Sequence, residues 1–291
     1  MKPQDQLILV TGATGQQGNA VINHLLSSGF TNVIALVRNA SEAKAQALAS
    51  RGVQLQEGDL DDPTSIAAAM SGVYGVFVAL PLDQLGPEVE IKRGRMLVDA
   101  AKTAGVKHFI YSSVSGADKS EGVVHFHTKF QIEEYLRRSG LTYSIVRPAP
   151  FMENFLTFER PAVNDGTAVF RVAIPASAKR PMVAVDDIGL VVARLFEDLE
   201  HSAGRTVELA GDDLTGPQIA ALFADITGVP AQFVEQPIAE VRGFNPMFAA
   251  MFEWLAAGNA EVDMSQVRAE YPQITSLRQW FTDHKAAFVT K

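Results

Sequence analysis

The chain opens as an alternation of two textures. Short apolar runs, Leu7–Val10, Val33–Val37, Val53–Glu57, Tyr74–Leu80, His108–Ser112 and Tyr143–Val146, have the length and side-chain types of buried strands. Between them lie longer mixed segments of helical length, Gln16–Ser28, Ser41–Ser50, Pro63–Met70, Glu88–Ala104 and Thr128–Ser139. Each of these segments is followed by a glycine, at 29, 52, 72, 105 or 140, where a helix should stop. Six strands alternating with five helices predict an α/β fold built on a doubly wound parallel sheet.

The rhythm breaks after Arg147-Pro148-Ala149-Pro150. Prolines at 161, 175, 181, 217, 230, 237, 246 and 272 interrupt the rest of the chain, which predicts a second, smaller region. Val183–Val185, then Asp186-Asp187 and the apolar run Ile188–Leu199, reads as one more strand–helix unit returning to the first domain, with the two acids capping the helix. The expected division is residues 1–150 with a returning segment of about 183–203, and a smaller substrate or partner domain of 151–182 and 204–291.

Composition removes several function classes. Lys plus Arg is 25 against 33 Asp plus Glu, a formal charge of -8, and no basic stripe offers itself to phosphates, so nucleic-acid binding is not expected. With no cysteine there is no thiolate nucleophile, disulfide or Cys-ligated metal. The 47% of hydrophobic residues never reach the roughly 18-residue run of a membrane span. The polar start, Met1–Gln6, precedes an apolar run too short for a signal peptide, which makes the expected location cytoplasmic.

Thr11-Gly12-Ala13-Thr14-Gly15-Gln16-Gln17-Gly18 sits between the first strand and the first helix. Glycines at 12, 15 and 18 suit a tight turn, a close approach to pyrophosphate and close packing of the helix, in that order. Gly12, Thr14, Gly15, Gln16, Gln17 and Gly18 are therefore candidate cofactor contacts. A nucleoside triphosphate loop is excluded because Asn19-Ala20, not Lys-Ser/Thr, follows Gly18. Twenty residues past Gly18, where an NAD site places an acid, stands Arg38, followed by Asn39. Its guanidinium favours the 2′-phosphate of NADP; one charge-assisted hydrogen bond of about 1.5–3 kcal/mol is a preference of roughly 10- to 100-fold. Asp59 and Leu60, after the third strand, and Ala79 and Leu80, ending the fourth, lie on the sheet edge that binds ligands, although Asp59 equally suits a turn.

These motifs, with Leu36-Val37-Arg38-Asn39, Glu57-Gly58-Asp59-Leu60, His125-Phe126-His127-Thr128-Lys129, Glu133-Glu134-Tyr135-Leu136, Val146-Arg147-Pro148, Phe151-Met152-Glu153-Asn154-Phe155 and Leu277-Arg278-Gln279-Trp280-Phe281, resemble the NmrA-like branch of the atypical short-chain dehydrogenases over nearly the whole chain. The resemblance implies an NADP-binding Rossmann domain with a small α/β C-terminal domain. It also implies one of two roles, a reductase or a catalytically silent NADPH-sensing regulator. Ordinary short-chain dehydrogenases carry Tyr-x-x-x-Lys and an upstream serine. Here Lys129 stands in the lysine position and His125 in that of the tyrosine, with Ser112 and Ser113 respectively 13 and 12 residues before it. The resemblance makes Lys129 the ribose anchor, and its charge should keep His125 neutral and a weak proton donor.

His125 also reads as a polar cleft residue or a cap of the helix starting at Thr128. His125 and His127 lack a third metal ligand nearby, so no metal is expected. No Gly-x-Ser-x-Gly elbow supports a serine hydrolase. Phe126 and, after the sixth strand, Phe151, Asn154 and Phe155 are candidate substrate contacts, as are Phe244, Phe248 and Met251 of a segment in which 244, 247, 248 and 251 fit one helical face. Core packing is the plain reading of that stripe, and a surface for a second copy or a regulated partner is a further alternative. The expected reaction is hydride transfer from NADPH to a planar, apolar, quinone-like molecule, with NADPH sensing as the alternative.

Overall fold

The computed structural model describes residues 3–81 and 86–289, and the chain divides into two compact units. The first comprises Met1–Ala117, His125–Arg147 and Val185–Val207; the second comprises Asp118–Val124, Pro148–Ala184 and Glu208–Lys291. Among the described residues, no helix is long and apolar enough to cross a membrane.

The alternation of apolar runs and mixed segments becomes β1 (Ile8–Val10), α1 (Gln16–Ser27), β2 (Val33–Val37), α2 (Ala43–Ala49), β3 (Gln54–Glu57), α3 (Pro63–Ala69), β4 (Gly75–Ala79), α4 (Pro87–Ala104), β5 (His108–Ser112), α5 (Val124–Arg138) and β6 (Tyr143–Pro148). Next come β7 (Ala162–Asn164), β8 (Thr167–Val172) and β9 (Lys179–Met182), and then α6 (Val185–Glu197), α7 (Leu199–Ser202) and β10 (Thr206–Leu209). The main sheet runs β3-β2-β1-β4-β5-β6-β10. The pairs from β3 through to β6 are parallel. β10 is parallel too, since Ile145 N donates to Arg205 O and Ala149 N to Leu209 O, both at 2.8 Å, an advance of four residues on each strand. The order reverses between β1 and β4, and the crevice that takes ligands in such sheets opens beyond the carboxyl ends of those two strands.

Alternate strand residues face opposite ways, which commits Leu9, Val76, Val78, Phe109, Tyr111 and Ile145 to one core with Ile66 of α3, Leu97 and Val98 of α4, and Ile132 and Leu136 of α5. On the other face α6 crosses α1 at Gly189, where a Cβ would lie 2.4 Å from the Ala20 carbonyl oxygen. Asp186 Oδ2 accepts from His24 Nε2 at 2.9 Å.

Three expectations need correction. Val183–Val185 is not a strand of this sheet: Val183 makes an isolated bridge with Phe151, and the helix begins at Val185. Asp186 and Asp187 thus lie inside its first turn, not at a cap, where acids still suit the positive end of the helix. The seventh strand, β10, was not anticipated, because Thr206–Leu209 is four residues long with only Val207 and Leu209 buried. Finally, α5 starts at Val124 and not at Thr128, since nothing between Gly122 and Thr128 breaks it.

The second unit adds β11 (Asp212–Thr215), α8 (Gly216–Thr227), β12 (Ala231–Glu235), α9 (Ile238–Phe244), α10 (Pro246–Ala256), α11 (Met264–Glu270) and α12 (Leu277–Asp283). β11 pairs antiparallel with β9, and β12-β8-β7 forms a separate sheet. A reciprocal capping box between Thr215 and Gln218 starts α8, whose Phe223 enters an aromatic core with Phe155, Phe170, Trp280 and Phe281. Nearest ring centroids in this core are 5.2–5.5 Å apart, in the range of favourable edge and tilted contacts.

Candidate nucleotide-binding and catalytic site

The first half of the candidate site is made of backbone. Thr11 N donates to Phe77 O at 2.9 Å and Thr11 Oγ1 accepts from Ala79 N at 3.2 Å, which ties the glycine loop to the end of β4. Gly12 turns the chain at φ +60°, and Gly15 N donates back to Gly12 O at 2.9 Å. Gly18 packs so closely that a Cβ on it would sit 2.3 Å from Gly12 O and 2.7 Å from Ala13 Cα. No side chain caps α1 at Gly15, so its first N–H groups remain directed out of the helix end, an arrangement suited to an anion. Thr14 and Gln17 are half-buried and Gln16 is exposed around this turn.

At the ends of β2 and β3 the loops are tied by short polar contacts. Arg38 is exposed, and no described residue holds its guanidinium. Asn39 Oδ1 accepts from Ser41 N at 2.9 Å and Ser41 Oγ at 2.7 Å, and Ala40 N donates to Glu57 Oε1 at 2.7 Å. Asp59 Oδ1 accepts from Asp61 N at 2.9 Å, the turn-stabilising role. Leu80 belongs to the core, with Leu60 packed against it, and Ala79 is buried.

The second half of the site is made of side chains. Ser112 Oγ donates to Gln17 Oε1 at 2.6 Å, which occupies its proton in joining β5 to α1. Ser113 Oγ is buried without a hydrogen-bond partner among the described residues, and so is His125 Nδ1. Because His125, Thr128 and Lys129 are three and four residues apart, they share one side of α5. There Lys129 Nζ donates to Glu90 Oε1 at 2.7 Å and Thr128 Oγ1 to Glu90 Oε2 at 2.8 Å. Burial pushes the pKa of His125 down to about 4, with the Lys129 ammonium adding to that effect and Glu90 opposing it. The imidazole is neutral at neutral pH, its ring 4.5 Å from that of Phe126 in an edge contact.

A family model described as the NmrA-like family matches residues 4–277. The chain belongs to the NmrA-like family. An NAD(P)H azoreductase of Xenophilus azovorans is 32% identical over 236 residues, covering 81% of this chain and 79% of that protein. The NADPH-dependent quinone oxidoreductase QOR2 of Escherichia coli, solved with NADPH, shares 26% identity at a TM-score of 0.82, covering 96% of this chain and 99% of that one. The negative transcriptional regulator NmrA, solved with NADP, has the same fold at 22% identity and a TM-score of 0.82, with 96% and 95% covered.

On the substrate side this NmrA-like chain departs from the sequence expectation at two places. Phe155 is 2% exposed within the aromatic core of the second unit, so its ring is committed to packing and not to a cleft wall. Phe244 does not share a helix with 247, 248 and 251, because Pro246 begins a new helix that Asn245 caps by accepting from Phe248 N at 3.1 Å. Phe244 ends α9 and is 69% exposed, whereas Phe248 packs on a small cluster of Ala173, Val241 and Ala249. Phe151, Asn154 and Met251 are half-buried in the second unit, and Phe126 is buried in the first.

Sequence reasoning missed Glu90, the partner of Lys129. The signal was present: Ile91, Gly94, Leu97, Val98 and Ala101 form the apolar stripe of α4, and Glu90 interrupts its first turn. Glu133 was quoted only within a motif. It is fully buried, and Arg147 holds it bidentately at 2.9 and 2.7 Å. Tyr111 has its hydroxyl pushed well above its ordinary pKa by burial, with Glu90 and Glu133 adding to it.

Proposed function

We propose that this NmrA-like protein is an NADPH-dependent reductase acting on a quinone or similar planar, conjugated electrophile. The loop Gly12–Gly18 and the uncapped end of α1 suit a pyrophosphate, and the free guanidinium of Arg38 suits a 2′-phosphate. Lys129 would hold the nicotinamide ribose hydroxyls, with Asn39, Asp59 and the β4 end lining the adenosine side. When bound, NADPH supplies a hydride to the acceptor.

The observation that carries the reading is the neutral, buried His125 in the place of a strong proton donor. Imidazole at that site offers a hydrogen bond and little acid strength, and Ser113 Oγ is left free to orient an oxygen. Such a pair favours acceptors whose product anion is delocalised over the molecule itself, as in a quinone, over simple carbonyls that need protonation in the transition state. The names of the azoreductase and quinone oxidoreductase relatives support the same class of acceptor.

Loss of the usual tyrosine donor also fits a second reading, an NADPH sensor whose binding to a partner or a second copy follows cofactor occupancy. Purified protein mixed with NADPH and a panel of quinones, azo compounds and enones separates the two. Consumption of NADPH dependent on a quinone or azo compound is expected for the reductase; tight NADPH binding without turnover supports the sensor. Thermal shifts with NADP and NAD test the role of Arg38. NADP is expected to bind roughly 10-fold or more tightly, and Arg38→Ala should erase the difference.

A further inference from the structure

We infer that Glu90 is a positioning residue for Lys129: its buried carboxylate fixes where the ammonium sits and thereby sets how well Lys129 serves the cofactor. Only the cofactor-facing consequence rests on the reductase or sensor reading. Glu90 is 3% exposed in the first turns of α4, and both of its oxygens are taken from one side of α5, by Lys129 Nζ at 2.7 Å and Thr128 Oγ1 at 2.8 Å. A lysine side chain has four rotatable carbons and a compact charge that water would otherwise draw outward. With the side chain of Lys129 only 15% exposed, the carboxylate replaces that water, and the two-point hold on Glu90 keeps its own rotamer single.

An ammonium has three protons, and Glu90 takes one of them at Oε1. The remaining donors are left for a bound hydroxyl, in a direction that the ion pair defines. Glu90 therefore acts on the cofactor through Lys129 without touching it. The pairing joins residues 39 apart, so the register of α4 against α5 becomes part of the binding geometry.

Two measurements on the full chain test the assignment. The first needs no cofactor: lysines are acetylated with a water-soluble succinimidyl ester, and the rate at each lysine is read by peptide mass spectrometry. Glu90→Gln should raise labelling at Lys129 several-fold while the exposed Lys44 is unchanged; an unchanged rate at Lys129 overturns the proposal. The second is a double-mutant cycle of NADPH affinity with Glu90→Gln, Lys129→Ala and the pair. Glu90→Gln should weaken NADPH about 10-fold, and the double variant should bind no worse than Lys129→Ala alone. Full additivity overturns it. Glu90→Asp, which keeps the charge and shortens the reach, should recover part of the affinity and serves where Glu90→Gln folds poorly. Absence of NADPH binding in the unaltered chain would sink the functional reading while leaving the labelling result to decide the role of Glu90.

Discussion

The glycine loop and the α5 face both belong to the first unit, and they are shaped by opposite means. The loop is shaped by missing atoms: at Gly18 there is no room for a Cβ against the backbone of Gly12 and Ala13. The α5 face is shaped by added charge, a lysine, a carboxylate and a threonine withdrawn from water and closed on one another. The first construction is contained in eight consecutive residues and depends on volume. The second reaches across 39 residues and depends on ionisation. They should therefore fail in different ways.

Among single substitutions, the largest effect is expected from filling the loop. Gly18→Ala places a methyl 2.3 Å from Gly12 O, and because backbone is the obstacle the loop must shift. A cost of about 3 kcal/mol, near a hundredfold, should appear in NADP affinity or in stability. Calorimetry and thermal melts with and without NADP would measure it; unaltered binding would show that the loop is looser than its packing indicates.

Acid should act on the charged and polar interior and spare the loop. His125 and His108 are both held at about 4 by burial, below the ordinary 6.5. Their contribution to stability is fully present above pH 6.5 and is lost as pH falls from there through about 4, because the unfolded chain takes up protons that the native chain refuses. Up to about 3 kcal/mol per histidine is at stake. Ser144 Oγ donates to Ser202 O at 2.7 Å, so His108 must present Nε2–H to Ser144, leaving Nδ1 as a buried lone pair. Urea titrations at steps between pH 7 and 4 should show the decline, and His108→Gln should flatten part of it. A flat profile in the unaltered chain would mean these rings are hydrated.

The smallest effect is expected within the α5 face itself. Lys129→Ala should lower kcat/KM by roughly 10- to 100-fold, and His125→Ala by less than about 10-fold, since a weak acid contributes little. A larger loss at His125 would make it the proton donor after all and remove the argument for acceptors that need no acid.

The same contrast explains what could be read from the amino acids alone. Glycines at 12, 15 and 18 speak for themselves because the constraint is local, and the alternation of apolar runs led directly to the order of β1–β6. Glu90 was hidden because its partner lies far along the chain, and because a charge on an apolar stripe acquires meaning only when the opposing helix is known. Phe155 was misassigned for a related reason: aromatic character suits a core and a cleft alike, and only the rings of Phe170, Trp280 and Phe281 around it decide. The break between Phe244 and Met247 was legible in Pro246, but the stripe of aromatic residues outweighed it. His24 drew no notice until α6 brought Asp186 to its ring.

The return of residues 185–207 to the first unit has a consequence for the order in which the molecule can be made. α6 covers α1 at Gly189 and Ala20, and β10 covers the outer edge of β6, so neither surface is finished when the sixth strand leaves the ribosome. The first unit has to wait, with an apolar helix face and an unpaired strand exposed, while the intervening part of the other unit is synthesised. A fragment ending near Pro150 would remain in that unfinished state, its α1 face and β6 edge uncovered until the chain reaches Leu209.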